Sequence, residues 1–183
     1  LFKKNKIQSF VGTARISAPG TVVVAGSGKA PAEQTITAKN ILIATGSESM
    51  PLPGVDVDEK TIVSSTGALD LATVPKHLVV IGGGYIGLEL GSVWSRLGAK
   101  VTGVEFLDRI VPAMDDEMAE EMFRTLKKQG LEFRLSTKVT GAKTGKSGVV
   151  LTVEPAAGGK AETIDCDVVL VSIGRRPFTA GLG

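Results

Sequence analysis

A run of four apolar residues, Leu78-Val79-Val80-Ile81, leads into Gly82-Gly83-Gly84-Tyr85-Ile86-Gly87, and helix-forming residues follow as far as Leu97. The G-x-G-x-x-G spacing alone says little, since 23 of the 183 residues are glycine. Its setting says more. A strand precedes it, a helix opens on it, and an acidic residue, Glu105, closes the next strand 18 residues beyond Gly87. Together these are the marks of a parallel strand–helix–strand unit that binds a dinucleotide. Gly82 permits a tight turn out of the strand, Gly84 leaves room for a pyrophosphate against the backbone, and Gly87 lets the helix pack closely on the sheet. The N–H groups left unpaired in the first helical turn, with the positive end of the helix dipole, would hold the phosphates. Gly83, Tyr85, Ile86 and Leu88 therefore fall within the candidate cofactor-binding segment.

The carboxylate of Glu105 would accept hydrogen bonds from the adenosine ribose hydroxyls and repel a 2′-phosphate. Phe106 and Leu107 follow it, and Arg109 comes four residues on; without an adjacent arginine, the pattern favours NAD over NADP. Glu89, taken to lie on the first turn of the helix, leaves two readings open. It is a carboxylate favoured by the helix dipole, or it contacts the nicotinamide half of the cofactor.

Upstream the chain reads as strands: Ile7 to Ile16, Thr21 to Ala25 and Glu33 to Ala38, separated by Pro19-Gly20 and by Gly26-Ser27-Gly28. Asn40-Ile41-Leu42-Ile43-Ala44 suits a fully buried strand. Pro51-Leu52-Pro53-Gly54 marks a boundary. Downstream, Lys100 to Glu105 is a strand. Asp115 to Gln129 is an amphipathic helix with Met118, Met122, Phe123 and Leu126 as core, closed by Gly130. Leu131 to Leu135 is a third strand, Val149 to Val153 and Glu162 to Ile164 form a hairpin, and Asp167 to Ile173 is a last buried strand. The class is α/β: a Rossmann-type parallel sheet with helices on both faces and an antiparallel β piece.

Composition excludes some roles. Formal net charge is only +2 and no basic run stands out, so nucleic acid is not a partner. The most apolar stretch, Leu78 to Leu88, is too short and glycine-rich to span a bilayer. Cys166 is the only cysteine and His77 the only histidine; the first reads as a small buried strand residue, the second as a surface residue. No catalytic or metal-ligating residue is assigned.

Residues 80–97 with their Gly84-Tyr85-Ile86-Gly87-Leu88-Glu89, and the stretches Ala44-Thr45-Gly46-Ser47, Val104-Glu105-Phe106-Leu107 and Ile173-Gly174-Arg175-Arg176-Pro177-Phe178, resemble the two-dinucleotide flavoprotein disulfide oxidoreductases, in the wording of their dihydrolipoyl dehydrogenase branch. The resemblance covers essentially the whole chain. It implies a homodimeric FAD enzyme of the cytoplasm or the mitochondrial matrix. In such an enzyme dihydrolipoamide, carried on the lipoyl domains of 2-oxoacid dehydrogenase complexes, reduces a disulfide; electrons then pass through FAD to NAD+. It also implies that Ala14 contacts the FAD adenine, that Thr45, Gly46 and Ser47 lie near FAD, and that Val139 and Gly174 line the NAD site. NADP-using relatives carry two arginines at the places held here by Phe106 and Pro112. On this reading residues 1–50 are the end of an FAD-binding domain, 51–174 the NAD-binding domain, and 175–183 the return crossing. The family's Cys-x4-Cys pair, its catalytic His–Glu pair and its first G-x-G-x-x-G have no counterpart here. The chain is therefore expected to be an internal piece of such an enzyme, inactive by itself. A free-standing NAD-binding module, or another NAD-dependent reductase of the family, is the alternative.

Overall fold

The structure, a computed structural model, describes residues 1–26, 28 and 32–183; Ser27, expected to break the second strand, lies outside them. The chain forms two compact units, Leu1–Glu48 with Pro177–Gly183, and Ser49–Arg176.

In the first unit β1 (Gly12–Ala18), β2 (Thr21–Gly26) and β3 (Glu33–Thr37) form an antiparallel meander. Gly20, at φ +74°, makes the first turn. Val23 and Val24 are its buried residues. The expected first strand begins late, since Ile7 and Val11 precede β1 and are exposed. The buried strand expected over 40–44 is corrected: no strand forms there, and Leu42 is 91% exposed. An apolar run becomes a strand only where a neighbouring edge accepts its N–H and C=O groups, and the described sheet of this unit ends at β3. The chain leaves through β4 (Ser47–Ser49).

The second unit opens with β5 (Ile62–Val63) and the short α1 (Ser65–Leu69), then β6 (His77–Ile81), α2 (Tyr85–Arg96), β7 (Lys100–Val104), α3 (Asp116–Lys128) and β8 (Glu132–Arg134). An antiparallel set follows, β9 (Thr137–Gly145), β10 (Gly148–Pro155) and β11 (Glu162–Cys166), and then β12 (Val168–Val171). The parallel sheet has the order β5-β12-β6-β7-β8. A last strand, β13 (Arg175–Pro177), pairs with β4.

The period-2 alternation of β6 sorts its side chains between two cores. Leu78 and Val80 face the helices, packed with Leu88, Trp94 and Leu126. Val79 and Ile81 face β10 and β11, packed with Val149, Leu151, Val153 and Ile164. The expected α/β class, with a parallel sheet and an antiparallel piece, is what forms. The expected helices on both faces are corrected: helices cover one face and the β9-β10-β11 sheet covers the other. The reason lies in the period, because Val149, Leu151 and Val153 alternate as a strand does, not as a helix. β9 was not anticipated; its Thr, Lys and Gly residues carry no apolar alternation.

Two further expectations change. Met118 is 60% exposed, while Met122 and Phe123 are partly buried and Leu126 is buried. A four-residue spacing drifts about 40° per step around a helix of 3.6 residues per turn, so the far end of the stripe leaves the core face. His77 is half-buried, not a free surface residue. Its Nδ1 bonds the Asp165 carbonyl at 2.9 Å, its Nε2 bonds the Thr102 hydroxyl at 2.9 Å, and its N–H donates to Asp167 Oδ2 at 2.7 Å. As the first residue of a central strand it has neighbours on both sides. Cys166 is buried as expected, and burial, with Asp167 and Asp165 alongside, pushes its thiol up to about 12. Among the described residues no helix is long and apolar enough to cross a membrane.

Candidate dinucleotide site

Where β6 ends, Gly82 takes φ +105°, a conformation glycine adopts freely and other residues rarely do. A Cβ there would stand 2.6 Å from the Ser172 carbonyl oxygen, on the loop after β12. Gly87 is as tightly enclosed: a Cβ would lie 2.5 Å from both Gly82 O and Ser172 Oγ, and 2.9 Å from Val80 Cγ1. This closeness brings the start of α2 down onto the sheet. Gly84 differs. It is the N-cap of α2 at φ −78°, and nothing lies within 4 Å of where its Cβ would be. Side chains cap α1, through Ser64, and α3, through Asp115, whereas α2 has no side-chain cap. The first-turn N–H groups of α2 thus open on a space kept clear by Gly84. That arrangement fits a phosphate.

Glu105 follows β7 and is half-buried. Its Oε2 accepts the Gly83 N–H at 2.5 Å and its Oε1 accepts the Leu107 N–H at 2.9 Å. Each oxygen keeps a second lone pair for a further donor. Beside it lies a cavity of about 310 Å³ whose lining includes Gly82, Glu105, Phe106, Val139 and Ile173. The fold therefore brings Gly82, Glu105 and Val139 to one cavity from three separate elements. Gly174, at φ +130°, is the next residue along from Ile173, and its carbonyl accepts the Met50 N–H at 3.0 Å.

The remaining candidates fall elsewhere. Tyr85 is exposed and Ile86 half-buried; Leu88 is a core residue whose N–H is taken by the Gly84 carbonyl at 3.1 Å, so its contribution is packing. Glu89 is corrected in place. It is the fifth residue of α2, outside the first turn, and it lines a separate groove of about 450 Å³ with Met118 and Met122 of α3. In the first unit, Ala14 lies on β1 opposite Val24. Thr45 Oγ1 donates to the Phe178 carbonyl and the Phe178 N–H donates to the Gly46 carbonyl at 3.0 Å. Ser47 starts β4, not a helix, so this stretch makes no phosphate cradle for FAD and fits at most the edge of such a site. Two residues went unnoticed in the sequence. Ser172 donates to the Ile81 carbonyl at 3.0 Å, and Val111 donates its N–H to the Gly83 carbonyl at 2.8 Å. Both are distant in sequence from the glycines they hold, and no local pattern marks them. Among the described residues no cluster of three or more His, Cys, Asp or Glu could hold a metal ion.

A profile of the pyridine nucleotide-disulphide oxidoreductases matches residues 1–183. The chain is 57% identical over 185 residues to dihydrolipoamide dehydrogenase from Chaetomium thermophilum, an alignment covering 100% of this chain and 36% of that protein. It is 55% identical over 183 residues to dihydrolipoyl dehydrogenase 3 from Pseudomonas aeruginosa, covering 100% of this chain and 39% of that one. Among solved structures, the HOCl-induced flavoprotein disulfide reductase RclA from Escherichia coli matches with a TM-score of 0.77 and 28% identity, over 96% of this chain and 38% of that chain. The chain thus spans less than two-fifths of the length of these relatives.

Proposed function

The chain belongs to the pyridine nucleotide-disulphide oxidoreductase family, and from that membership we propose that it is the NAD(H)-binding part of a dihydrolipoyl dehydrogenase. The observation that carries the proposal is the pairing of the open N-cap at Gly84 with the anchored carboxylate of Glu105 on one glycine loop. In this reading residues 51–174 form the NAD-binding domain, and 1–50 and 175–183 belong to the FAD side. The N–H groups at the start of α2 hold the pyrophosphate, and the helix dipole adds to their pull. Glu105, held in place by Gly83 and Leu107, accepts the ribose hydroxyls with its remaining lone pairs. Val139 and Gly174 line the same site.

The chemistry supplied by the bound groups is the passage of two electrons from dihydrolipoamide, through a redox disulfide and FAD, to NAD+. This chain's part is to bind and orient the nicotinamide nucleotide. Cys166 is its only cysteine, buried and with its thiol pKa raised, so the redox disulfide and the base that serves it belong to the rest of the parent enzyme. That parent acts as a homodimer on lipoyl domains of 2-oxoacid dehydrogenase complexes, in the cytoplasm or mitochondrial matrix.

The test is a calorimetric titration of the 183-residue chain with NADH and with NADPH. A 2′-phosphate set against Glu105 with no arginine at Phe106 should weaken binding on the order of tenfold to several hundredfold. Equal affinities would overturn the NAD reading.

A further inference from the structure

The segment between β7 and α3, residues 105–115, holds the glycine loop at Gly83. Gly83 is held twice: its N–H donates to Glu105, and its carbonyl accepts the N–H of Val111 at 2.8 Å. Ile110, fully buried, lies 3.2 Å from where a Gly83 Cβ would stand. Val111 itself adopts φ +39°. That region is sterically costly for a β-branched residue, and such a conformation persists only where the surroundings over-determine it.

One side chain ties the turn around it together. Nη2 of Arg109 donates to the Pro112 carbonyl at 2.8 Å and to the Met114 carbonyl at 3.1 Å. Nη1 pairs with the carboxylate of Asp116, the first residue of α3. The turn closes on itself through the Met114 N–H, which donates to the Val111 carbonyl at 2.8 Å. A planar guanidinium with fixed donor directions can bridge two carbonyls and a carboxylate at once; a lysine ammonium, a compact point charge, does not hold that geometry. The Asp116 side chain is 86% exposed, so the ion pair adds little and the two carbonyl bonds carry the restraint.

We propose that Arg109 is a positioning residue of the dinucleotide site: it locks the 109–116 turn so that Val111 and Glu105 keep Gly83 in place, and thereby sets NADH affinity without touching the cofactor. The proposal rests on the NAD(H) reading of the site.

The experiment compares wild type, Arg109→Gln, Arg109→Lys and Asp116→Asn in the full chain, by NADH calorimetry well below each melting temperature and by amide hydrogen exchange without ligand. Arg109→Gln should weaken NADH on the order of tenfold, the scale of a lost charge-assisted hydrogen bond. Arg109→Lys should recover only part of that loss, and Asp116→Asn should stay within about twofold. Exchange at the Val111 amide should quicken in Arg109→Gln while Val79, in the centre of the sheet, is unchanged. A lowered melting temperature with unchanged NADH affinity would make Arg109 a merely structural residue and overturn the proposal, as would unchanged exchange at Val111. A wild-type chain that binds no NADH would overturn the cofactor reading and this proposal with it, whereas a binding wild type with an equally tight Arg109→Gln overturns the proposal alone.

Discussion

Two glycines of the same motif, Gly84 at the N-cap of α2 and Gly87 in its first turn, meet opposite surroundings, and their substitutions should part accordingly. At Gly84 the backbone angle, φ −78°, suits any residue, and a Cβ meets nothing within 4 Å. Gly84→Val should therefore keep its melting temperature and lose NADH binding, because the branched side chain fills the space a pyrophosphate needs. Retained binding at an unchanged melting temperature would remove the phosphate from this position. At Gly87 the added methyl would sit 2.5 Å from Gly82 O and Ser172 Oγ. Backbone on one side and the sheet on the other leave it little room to move, so Gly87→Ala should destabilise by about 1–3 kcal/mol. Urea denaturation reads this, and a midpoint equal to wild type would speak against the close packing of α2 on β6.

At the scale of elements, the turn into β5 hangs on one carboxylate. Burial by itself would raise the pKa of Asp58. The Thr61 hydroxyl and the N–H groups of Ile62, Lys60 and Thr61 outweigh it and hold the carboxyl well below the usual carboxylate range. A depressed folded-state pKa means that the unfolded chain takes up the proton first. The stabilisation is therefore complete above the unfolded value near 3.9 and fades as pH falls from there toward the folded one. Asp58→Ala should cost about 1 kcal/mol at pH 7, and that difference from wild type should shrink between pH 4 and pH 2. Urea midpoints at several pH values measure it; a difference that stays constant down to pH 2 would show that the charge is not what holds the turn. The capping of α3 offers a parallel case. Asp115 accepts the Glu117 N–H at 3.0 Å, and Asp115→Ala should cost about 1 kcal/mol.

For the molecule as a whole, disulfide exchange needs two thiols and the chain has one, buried and with a raised pKa. The preparation should be colourless and should show no turnover with dihydrolipoamide and NAD+, while still binding NADH. Flavin bands in the absorption spectrum, or turnover above background, would contradict the assignment of the redox step to the rest of the parent enzyme.

The strand into Gly82, the helix out of it and the position of Glu105 were legible in the sequence because each depends on residues close along the chain: an apolar run, a steric need for glycine, a cap and a strand end. The amphipathic face of α3 was legible for the same reason, apart from Met118, where the periodicity drifts off the core. Pairing partners were not. Whether 40–44 becomes a strand depends on a free neighbouring edge; whether a second face of the sheet takes helices or β9-β10-β11 depends on which segment offers it a matching apolar surface. His77 looked like a surface residue until Thr102 and the Asp165 carbonyl closed around it. The residues that hold the glycine loop, Ser172 from 90 residues away and Val111 with Arg109 behind it, carry no local signature. Their roles come from backbone groups that meet only after the sheet has assembled, and a strained φ at Val111 is a property of that assembly, not of the sequence around it.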